Sequence, residues 1–132
     1  MPNSKWLLLP GFLGAKEDFD ELRTYLDFPT EAVDLPLTIS DILKEGPRLS
    51  LIGDSMGGRI AIKLQKRFPE VIERVIALSS NPGLFDLEKR KAWEDKWLNQ
   101  LKRAPLSHFL ELWYEQPLFE EFKKHPSFPS MW

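Results

Sequence analysis

The chain has 132 residues, of which 42% are hydrophobic, and its formal net charge at pH 7 is -2. Such a chain is long enough to bury one core and too apolar to be disordered by composition. The small negative charge argues against a nucleic-acid partner, and the absence of cysteine excludes disulfides, thiolate metal sites and a cysteine nucleophile. No apolar run approaches the roughly 20 residues that a membrane span needs, so a cytoplasmic location without membrane contact is predicted.

Strand-like and helix-like segments alternate through the first part of the chain. The apolar run Lys5–Leu9 predicts a buried strand. Apolar residues at helical spacing predict a helix over 16–26, and a short strand is predicted at 31–33. A brief helix is predicted over 40–44, with Ser40 or Asp41 as its N-cap.

The most informative segment is Gly53-Asp54-Ser55-Met56-Gly57. An apolar strand predicted at 49–52 leads directly into this Gly-x-Ser-x-Gly spacing, and an amphipathic helix follows, which Pro69 ends. Strand, sharp turn and helix in that order predict a nucleophile elbow, with the Ser55 hydroxyl exposed on a strained turn. The alternative is a serine in a glycine-rich loop that holds phosphate at a helix N-terminus.

Beyond the elbow the pattern changes from alternation to helices alone. A fourth strand is predicted at 71–79, and two helices are predicted at 87–101 and 106–114. The chain therefore divides into a core portion, 1–84, and a helical cap, 85–132. Alternating strands and helices form parallel sheets covered by helices, so the predicted fold class is α/β.

Two backbone amides near Ser55 are predicted to form an oxyanion hole. Sites in open α/β sheets lie at the carboxyl ends of strands, where both Ser55 and the loop Gly11-Phe12-Leu13-Gly14 fall. A serine nucleophile needs donors that stabilise the developing oxyanion. The predicted donors are the amides of Phe12 and Met56, and the alternative for the loop is an ordinary tight connection.

Five blocks of sequence together resemble one family. They are Gly11-Phe12-Leu13-Gly14, Asp34-Leu35-Pro36, Gly53-Asp54-Ser55-Met56-Gly57-Gly58-Arg59, Asn81-Pro82-Gly83-Leu84 and Trp113-Tyr114-Glu115-Gln116-Pro117-Leu118-Phe119. In this order they are similar to the α/β-hydrolase-fold synthases that form 2-succinyl-6-hydroxy-2,4-cyclohexadiene-1-carboxylate in menaquinone biosynthesis. The resemblance covers nearly all of this chain, but only about the first half of a typical member.

The resemblance implies the N-terminal portion of an α/β-hydrolase fold: about four parallel strands with flanking helices plus a helical cap, with the later strands absent. It implies a lyase without cofactor or metal, which takes a proton from a small anionic substrate and expels pyruvate. By motif position, Ser55 is the catalytic serine, Arg59 and Arg90 bind substrate carboxylates, and Trp113 lines the pocket in the cap. Arginine suits this role because it holds a carboxylate through two parallel hydrogen bonds.

Each of these binding residues also has a simpler interpretation. Arg59 could be a solvated helix residue, and Arg90, between Lys89 and Lys91, could belong to a charged exposed face. Trp113 could be part of the core of the cap.

Two positions depart from the family pattern. Pro10 stands before the oxyanion loop, where members usually have histidine. Asp54 stands before Ser55, where aromatic residues or histidine are common. A carboxylate at this place repels an anionic substrate unless a nearby cation such as Arg59 offsets it.

The acid and the histidine of a hydrolase triad are expected to be missing. The triad runs serine, acid, histidine, and the last two lie on loops after later strands. No strand is predicted after Ser79, and the two histidines of the chain, His108 and His125, are interpreted as surface or cap residues. The segment 127–132 reads as an interruption, which favours a truncated chain.

Three functions are therefore open: the pyruvate-eliminating lyase, a hydrolase of carboxylic esters or thioesters, and a non-catalytic chain that has lost its base. The two enzymes differ in substrate, since acidic ligands favour the first and neutral acyl esters favour the second. In the absence of later strands, the strand at 71–79 becomes an unpaired apolar edge. Pairing between two copies through this edge is also predicted.

Overall fold

The computed structural model describes residues 5–36, 38–46, 48–83, 86–126 and 128. The chain forms two compact units, unit 1 at Met1–Gly83 and unit 2 at Leu84–Trp132. Leu84, which belongs to one block of the family resemblance, lies outside the described residues, as do 127 and 129–132 of the final segment.

Unit 1 contains a four-stranded parallel sheet. Its strands are β1 (Lys5–Leu9), β2 (Thr30–Ala32), β3 (Leu49–Asp54) and β4 (Ile72–Leu78), arranged in the order β2-β1-β3-β4. Every pair of neighbours is parallel, which confirms the predicted fold class. The central strands are almost wholly apolar because helices bury both of their faces.

Helices cover the two faces of this sheet. They are α1 (Asp20–Thr24), α2 (Ile39–Leu43) and α3 (Met56–Arg67). On one face, Ala61 and Leu64 of α3 pack with Ile42 of α2 against alternate residues of β1 and β3. On the other face, Phe19 packs against Leu8 and Ile52. Burial of each such large side chain contributes roughly 1.5–3 kcal/mol.

The helix predicted over 16–26 is shorter than its apolar spacing indicates. Residues Lys16–Phe19 form a 3-10 turn, and only Asp20–Thr24 is α-helical. The Ala15 amide donates to Asp18 Oδ2 at 3.0 Å, which fixes the first turn in this tight form. Local side-chain bonds of this kind compete with α-helical bonding, and hydrophobic spacing does not reveal them.

The N-cap of α2 is Thr38, so the predicted caps Ser40 and Asp41 were wrong. The Thr38 hydroxyl accepts from the Asp41 amide at 3.1 Å, and Asp41 Oδ2 accepts from the Thr38 amide at 3.1 Å. This reciprocal pair satisfies two backbone donors at the helix start. The hydrogen bond from the Thr38 hydroxyl lowers the pKa of the Asp41 carboxyl.

Unit 2 is helical in the part that the structure describes. It contains α4 (Leu87–Arg103), α5 (Leu106–Tyr114), a 3-10 turn at Pro117–Phe119 and α6 (Glu120–Lys123). The structure thus contains both helices predicted for this part, whereas α6 was not predicted. Asp86 caps α4 by accepting from the Lys89 amide at 2.9 Å. That unit 2 acts as a cap stays a prediction.

Strand β4 is an edge strand of the described sheet. Its apolar residues Ile76 and Leu78 are 43% and 38% exposed. An exposed apolar edge is a potential pairing surface, but association of two copies stays a prediction. None of the described helices is long and apolar enough to cross a membrane.

Candidate active site

Ser55 stands between the end of β3 and the start of α3 in a strained backbone conformation. Its φ is 51° and its ψ is -110°, a region that residues other than glycine rarely adopt. The residue is exposed, and its hydroxyl makes no capping hydrogen bond to α3. The strained and exposed turn fits the backbone of the predicted elbow, while the role of Ser55 as a nucleophile stays a prediction.

Two glycines allow the tight packing around this turn. A Cβ on Gly53 would lie 2.3 Å from the carbonyl carbon and oxygen of Gly57. A Cβ on Gly57 would lie 2.1 Å from the carbonyl oxygen of Leu9, at the end of β1. Real Cβ atoms do not approach backbone this closely, so a side chain at either position would push α3 away from the sheet.

Hydrogen bonds to the end of β4 hold the Ser55 backbone in place. The Ser55 amide donates to the Leu78 carbonyl at 2.8 Å. The Ser80 hydroxyl lies 2.8 Å from the Ser55 carbonyl and 2.9 Å from the Leu78 carbonyl, both of which are acceptors. Sequence reasoning missed Ser80, although its place directly after a predicted strand was an available signal.

The loop after β1 lies beside Ser55. An ideal Cβ on Gly11 would be 3.4 Å from Ser55 Cβ. The loop turns back through Leu13, whose φ is 62°, and the Gly14 amide donates to the Gly11 carbonyl at 3.0 Å. Phe12, between these residues, is 44% exposed. The structure thus brings the predicted oxyanion loop to the turn, while the donor role of Phe12 stays a prediction.

Met56 is the first residue of α3. Amides in the first turn of a helix have no carbonyl acceptor within the helix. They also carry the positive end of the helix dipole. The position of Met56 directly after Ser55 is consistent with the predicted oxyanion donor.

Asp54 places an acidic group next to Ser55. Its Oδ2 lies 3.4 Å from the ideal Cβ position of Gly11, the same point that lies 3.4 Å from Ser55 Cβ. Partial burial, and then the negative charge of Asp18, raise the pKa of the Asp54 carboxyl. Burial and a like charge both disfavour the ionised form, which explains the direction.

Arg59 lies one helical turn after Ser55. Its amide donates to the Ser55 carbonyl at 3.2 Å, which places the two residues on the same side of α3. Arg59 is partly buried, and within the described residues its guanidinium has no carboxylate partner. That Arg59 binds an anionic ligand stays a prediction.

Two blocks of the family resemblance have visible structural roles. In the first, Asp34 Oδ1 accepts from the Lys16 amide at 2.8 Å, which ties the chain after β2 to the 3-10 turn that follows the oxyanion loop. In the second, the Gln116 side-chain amide donates to the Trp113 carbonyl at 2.8 Å, which satisfies a carbonyl at the end of α5.

In unit 2, Arg90 is held by neighbours on α4. Its Nε donates to Glu94 Oε1 at 2.8 Å, and its guanidinium lies 4.5 Å from the centre of the Trp93 ring. The ion pair with Glu94 fits the alternative that Arg90 belongs to a charged face of the helix. Glu94 takes only Nε, so the terminal nitrogens of Arg90 can still bind a carboxylate.

Trp113 lies in a cluster of aromatic rings in unit 2. Its ring centre is 4.9 Å from that of Trp97, 5.8 Å from that of Trp93 and 5.9 Å from that of Phe109. These contacts agree with the alternative that Trp113 forms part of a core. The ring is only partly buried, so contact with a ligand stays a prediction.

Both histidines of the chain belong to unit 2. His108 is exposed on α5, with Nδ1 at 3.7 Å from Glu111 Oε2. His125 follows α6, and its amide donates to the Phe122 carbonyl at 3.0 Å. Among the described residues, no three side chains of His, Asp or Glu are grouped to hold a metal ion.

A family model described as "Putative esterase" matches residues 5–127. The chain belongs to this family. The match includes the predicted oxyanion loop, the Ser55 turn and most of unit 2.

Individual proteins similar to this chain include a synthase and solved structures with the same fold. It is 28% identical to 2-succinyl-6-hydroxy-2,4-cyclohexadiene-1-carboxylate synthase of Klebsiella pneumoniae, over 89% of this chain and 56% of the relative. The solved structure of MenH from S. aureus matches with a TM-score of 0.81 at 22% identity, over 96% of this chain and 57% of the other. A carboxylesterase structure from Nitrososphaera gargenis matches with a TM-score of 0.63 at 16% identity, over 83% of this chain and 49% of the other.

These similarities confirm the resemblance to the synthase family and the α/β-hydrolase fold. The chain spans about half the length of the curated relatives that it matches. The sequence identity to the two solved structures is low, so those matches show the fold alone.

Proposed function

We propose that this chain carries the Ser55 site of a lyase that eliminates pyruvate from 2-succinyl-5-enolpyruvyl-6-hydroxy-3-cyclohexene-1-carboxylate. The observation that carries the proposal is the strained Ser55 backbone between β3 and α3, with the loop after β1 beside it. The other product of this elimination is 2-succinyl-6-hydroxy-2,4-cyclohexadiene-1-carboxylate, and the similarity of this chain to synthases of that compound supports the choice of reaction.

In the proposed reaction a base takes a proton from the ring carbon that bears the succinyl carbonyl. The electron pair forms a C2=C3 double bond, the existing C3=C4 double bond moves to C4=C5, and the C5–O bond to the enolpyruvyl group breaks. The released enolate of pyruvate takes up a proton and becomes pyruvate. Negative charge develops on the carbonyl oxygen, where the amides of Phe12 and Met56 would stabilise it. Ser55, activated by a base, would accept the proton.

The substrate carries carboxylates that need cationic partners. Arg59 suits one of them because it lies one turn from Ser55 and has no carboxylate partner among the described residues. Arg90 and Trp113 are proposed to bind the substrate by their motif positions in unit 2. A charged hydrogen bond of this kind contributes about 1.5–3 kcal/mol.

The base that activates Ser55 is not a histidine of unit 1, because that unit contains none. His108 and His125 both belong to unit 2, and either one is a candidate for this base. A site with donors but no base retains only weak activity.

The test is pyruvate release from the named substrate, measured with the unaltered chain and with Ser55→Ala. We expect Ser55→Ala to lower the rate by about 10³-fold or more. Ser40→Ala, on the exposed surface of α2, is the control and should leave the rate unchanged. Pyruvate release that survives in Ser55→Ala would show that Ser55 is not the catalytic group.

The match to a putative esterase model favours a second candidate, hydrolysis of carboxylic esters or thioesters. The same Ser55 would then form an acyl-enzyme, and a neutral substrate would need neither arginine. Hydrolysis of p-nitrophenyl acetate without pyruvate release would favour this candidate. A folded chain that turns over neither substrate would be the non-catalytic chain considered in the sequence analysis.

A further inference from the structure

The electrostatic surroundings of Ser55 contain two charges of opposite sign. Arg59 is a cation on α3, one turn after Ser55, and Asp54 is a carboxylate on the residue directly before it. Asp54 Oδ2 and Ser55 Cβ each lie 3.4 Å from the same point, the ideal Cβ position of Gly11. The carboxylate oxygen and Ser55 Cβ are therefore separated by at most twice that distance.

The charge of Asp54 is not compensated within the described part of the chain. Its carboxylate has neither an ion pair nor a hydrogen-bond donor there. Asp18, in the 3-10 turn, is the charged group that acts on Asp54, and it carries the same sign. The Asp18 carboxylate is held in place by the Ala15 amide at 3.0 Å, so the two like charges remain near each other.

We propose that Asp54 determines the charge specificity of the Ser55 site by repelling ligands that bring negative charge to the turn. The proposal rests on the proposed function in taking Ser55 as the centre of the site. A carboxylate-bearing ligand must then place its charge towards Arg59, while the group that reaches Ser55 and Met56 must be neutral. Asp54 is thus a specificity-determining residue and takes no part in bond making.

The size of the effect follows from the separation of the charges. For charges about 7 Å apart, at effective dielectric constants from about 20 near a protein surface to about 80 in water, Coulomb repulsion changes affinity by about 3- to 50-fold per ligand charge. Salt screens such partly exposed charges, so the effect should shrink as ionic strength rises. The repulsion should also weaken as the pH falls, because the Asp54 carboxyl becomes protonated, and its raised pKa moves this protonation to a higher pH.

The experiment measures binding of ethane-1,2-disulfonate, which stays ionised at all working pH values, through the backbone amide NMR signals of Met56 and Gly57. Dimethyl sulfone is the neutral probe. We expect Asp54→Asn to bind the disulfonate about 3- to 50-fold more tightly than the unaltered chain at low salt. Its affinity for the sulfone should not change. Glu70→Gln is the matched control. Glu70 is exposed and lies before the start of β4, at the amino ends of the parallel strands, whereas Ser55 lies at their carboxyl ends. This variant removes the same charge and should change neither affinity.

Equal disulfonate affinity in Asp54→Asn and the unaltered chain would overturn the proposal, and so would the absence of disulfonate binding at these amides in both. If Asp54→Asn does not fold, the disulfonate affinity of the unaltered chain is measured from neutral to acid pH. An increase in affinity supports the proposal, and a constant affinity overturns it. None of these readouts needs turnover, so failure of the pyruvate assay and failure of this proposal are distinguishable.

Discussion

Replacement of Gly57 by alanine should destabilise the protein, although helix propensity alone predicts the opposite. Gly57 is the second residue of α3 and is buried. Its φ lies outside the left-handed region, so the backbone conformation itself permits alanine. In a helix interior alanine is favoured over glycine by about 1 kcal/mol. Packing reverses this preference, because the new methyl group would meet the end of β1.

The expected magnitude follows from the atoms that the methyl group would contact. Its nearest neighbours are the Leu9 carbonyl oxygen at 2.1 Å and the Pro10 carbonyl oxygen at 2.6 Å. These are backbone atoms of a central strand and its loop, so no side chain can rotate away. Overpacking of this kind costs about 1–3 kcal/mol, a large part of the roughly 5–15 kcal/mol that stabilises a domain.

The assay is urea unfolding followed by far-ultraviolet circular dichroism, with thermal unfolding as a second readout. A loss of about 1 kcal/mol corresponds to a fall of roughly 4–8 °C in the midpoint for a unit of this size. Gly83→Ala is the matched control, because an added Cβ there would meet nothing within 4 Å. If Gly57→Ala is as stable as the unaltered chain, or more stable, the close approach of α3 to β1 is refuted.

Three further predictions concern the arginine, a hydroxyl and a helix cap. In steady-state kinetics, Arg59→Ala should raise KM for the acidic substrate about 10- to 100-fold. An unchanged KM would refute the proposal that Arg59 binds a substrate carboxylate. Arg67→Ala, at the end of α3, is the control. Ser80→Ala should cost about 0.5–1.5 kcal/mol in urea unfolding, because the single hydroxyl proton that lies within reach of the Ser55 and Leu78 carbonyls is lost. An equal or greater stability would exclude this stabilising role of Ser80. Thr38→Ala should cost about 1 kcal/mol, and an unchanged stability would show that the cap is not formed. The pKa of the Asp41 carboxyl is lowered in the folded protein, so the ionised carboxyl stabilises the fold above its ordinary pKa of 3.8. This stabilisation is lost as the pH falls through the lowered pKa. The stability of Thr38→Ala should therefore fall less steeply with acid than that of the unaltered chain.

Much of the fold followed from local pattern. The bounds of β1, Lys5–Leu9, and of α5, Leu106–Tyr114, coincide with the predicted segments. These segments are strongly apolar or strongly periodic, so burial decides their structure. The errors lie where a single side chain competes with the pattern. Asp18 tightens the turn before α1, and Thr38 moves the start of α2 by one residue.

The site divides in the same way. The glycine spacing around Ser55, and the loop at 11–14 on the same edge of the sheet, could be read from the sequence because their order along the chain is fixed by strand–helix alternation. The contribution of Ser80 could not, because it depends on how β4 ends beside β3. The alternatives for Trp113 also needed coordinates, since only ring positions distinguish an isolated pocket residue from a member of an aromatic cluster.

The sequence by itself determined the class of fold, the strand–turn–helix around Ser55 and the family resemblance, since these depend on residue types at short separations. Tertiary structure decided which groups meet across long separations. It brought Gly11 against Ser55, Gly57 against Leu9, and the hydroxyl of Ser80 onto the Ser55 carbonyl. Such contacts depend on the order and register of parallel strands, which the hydrophobic pattern of any one segment does not specify.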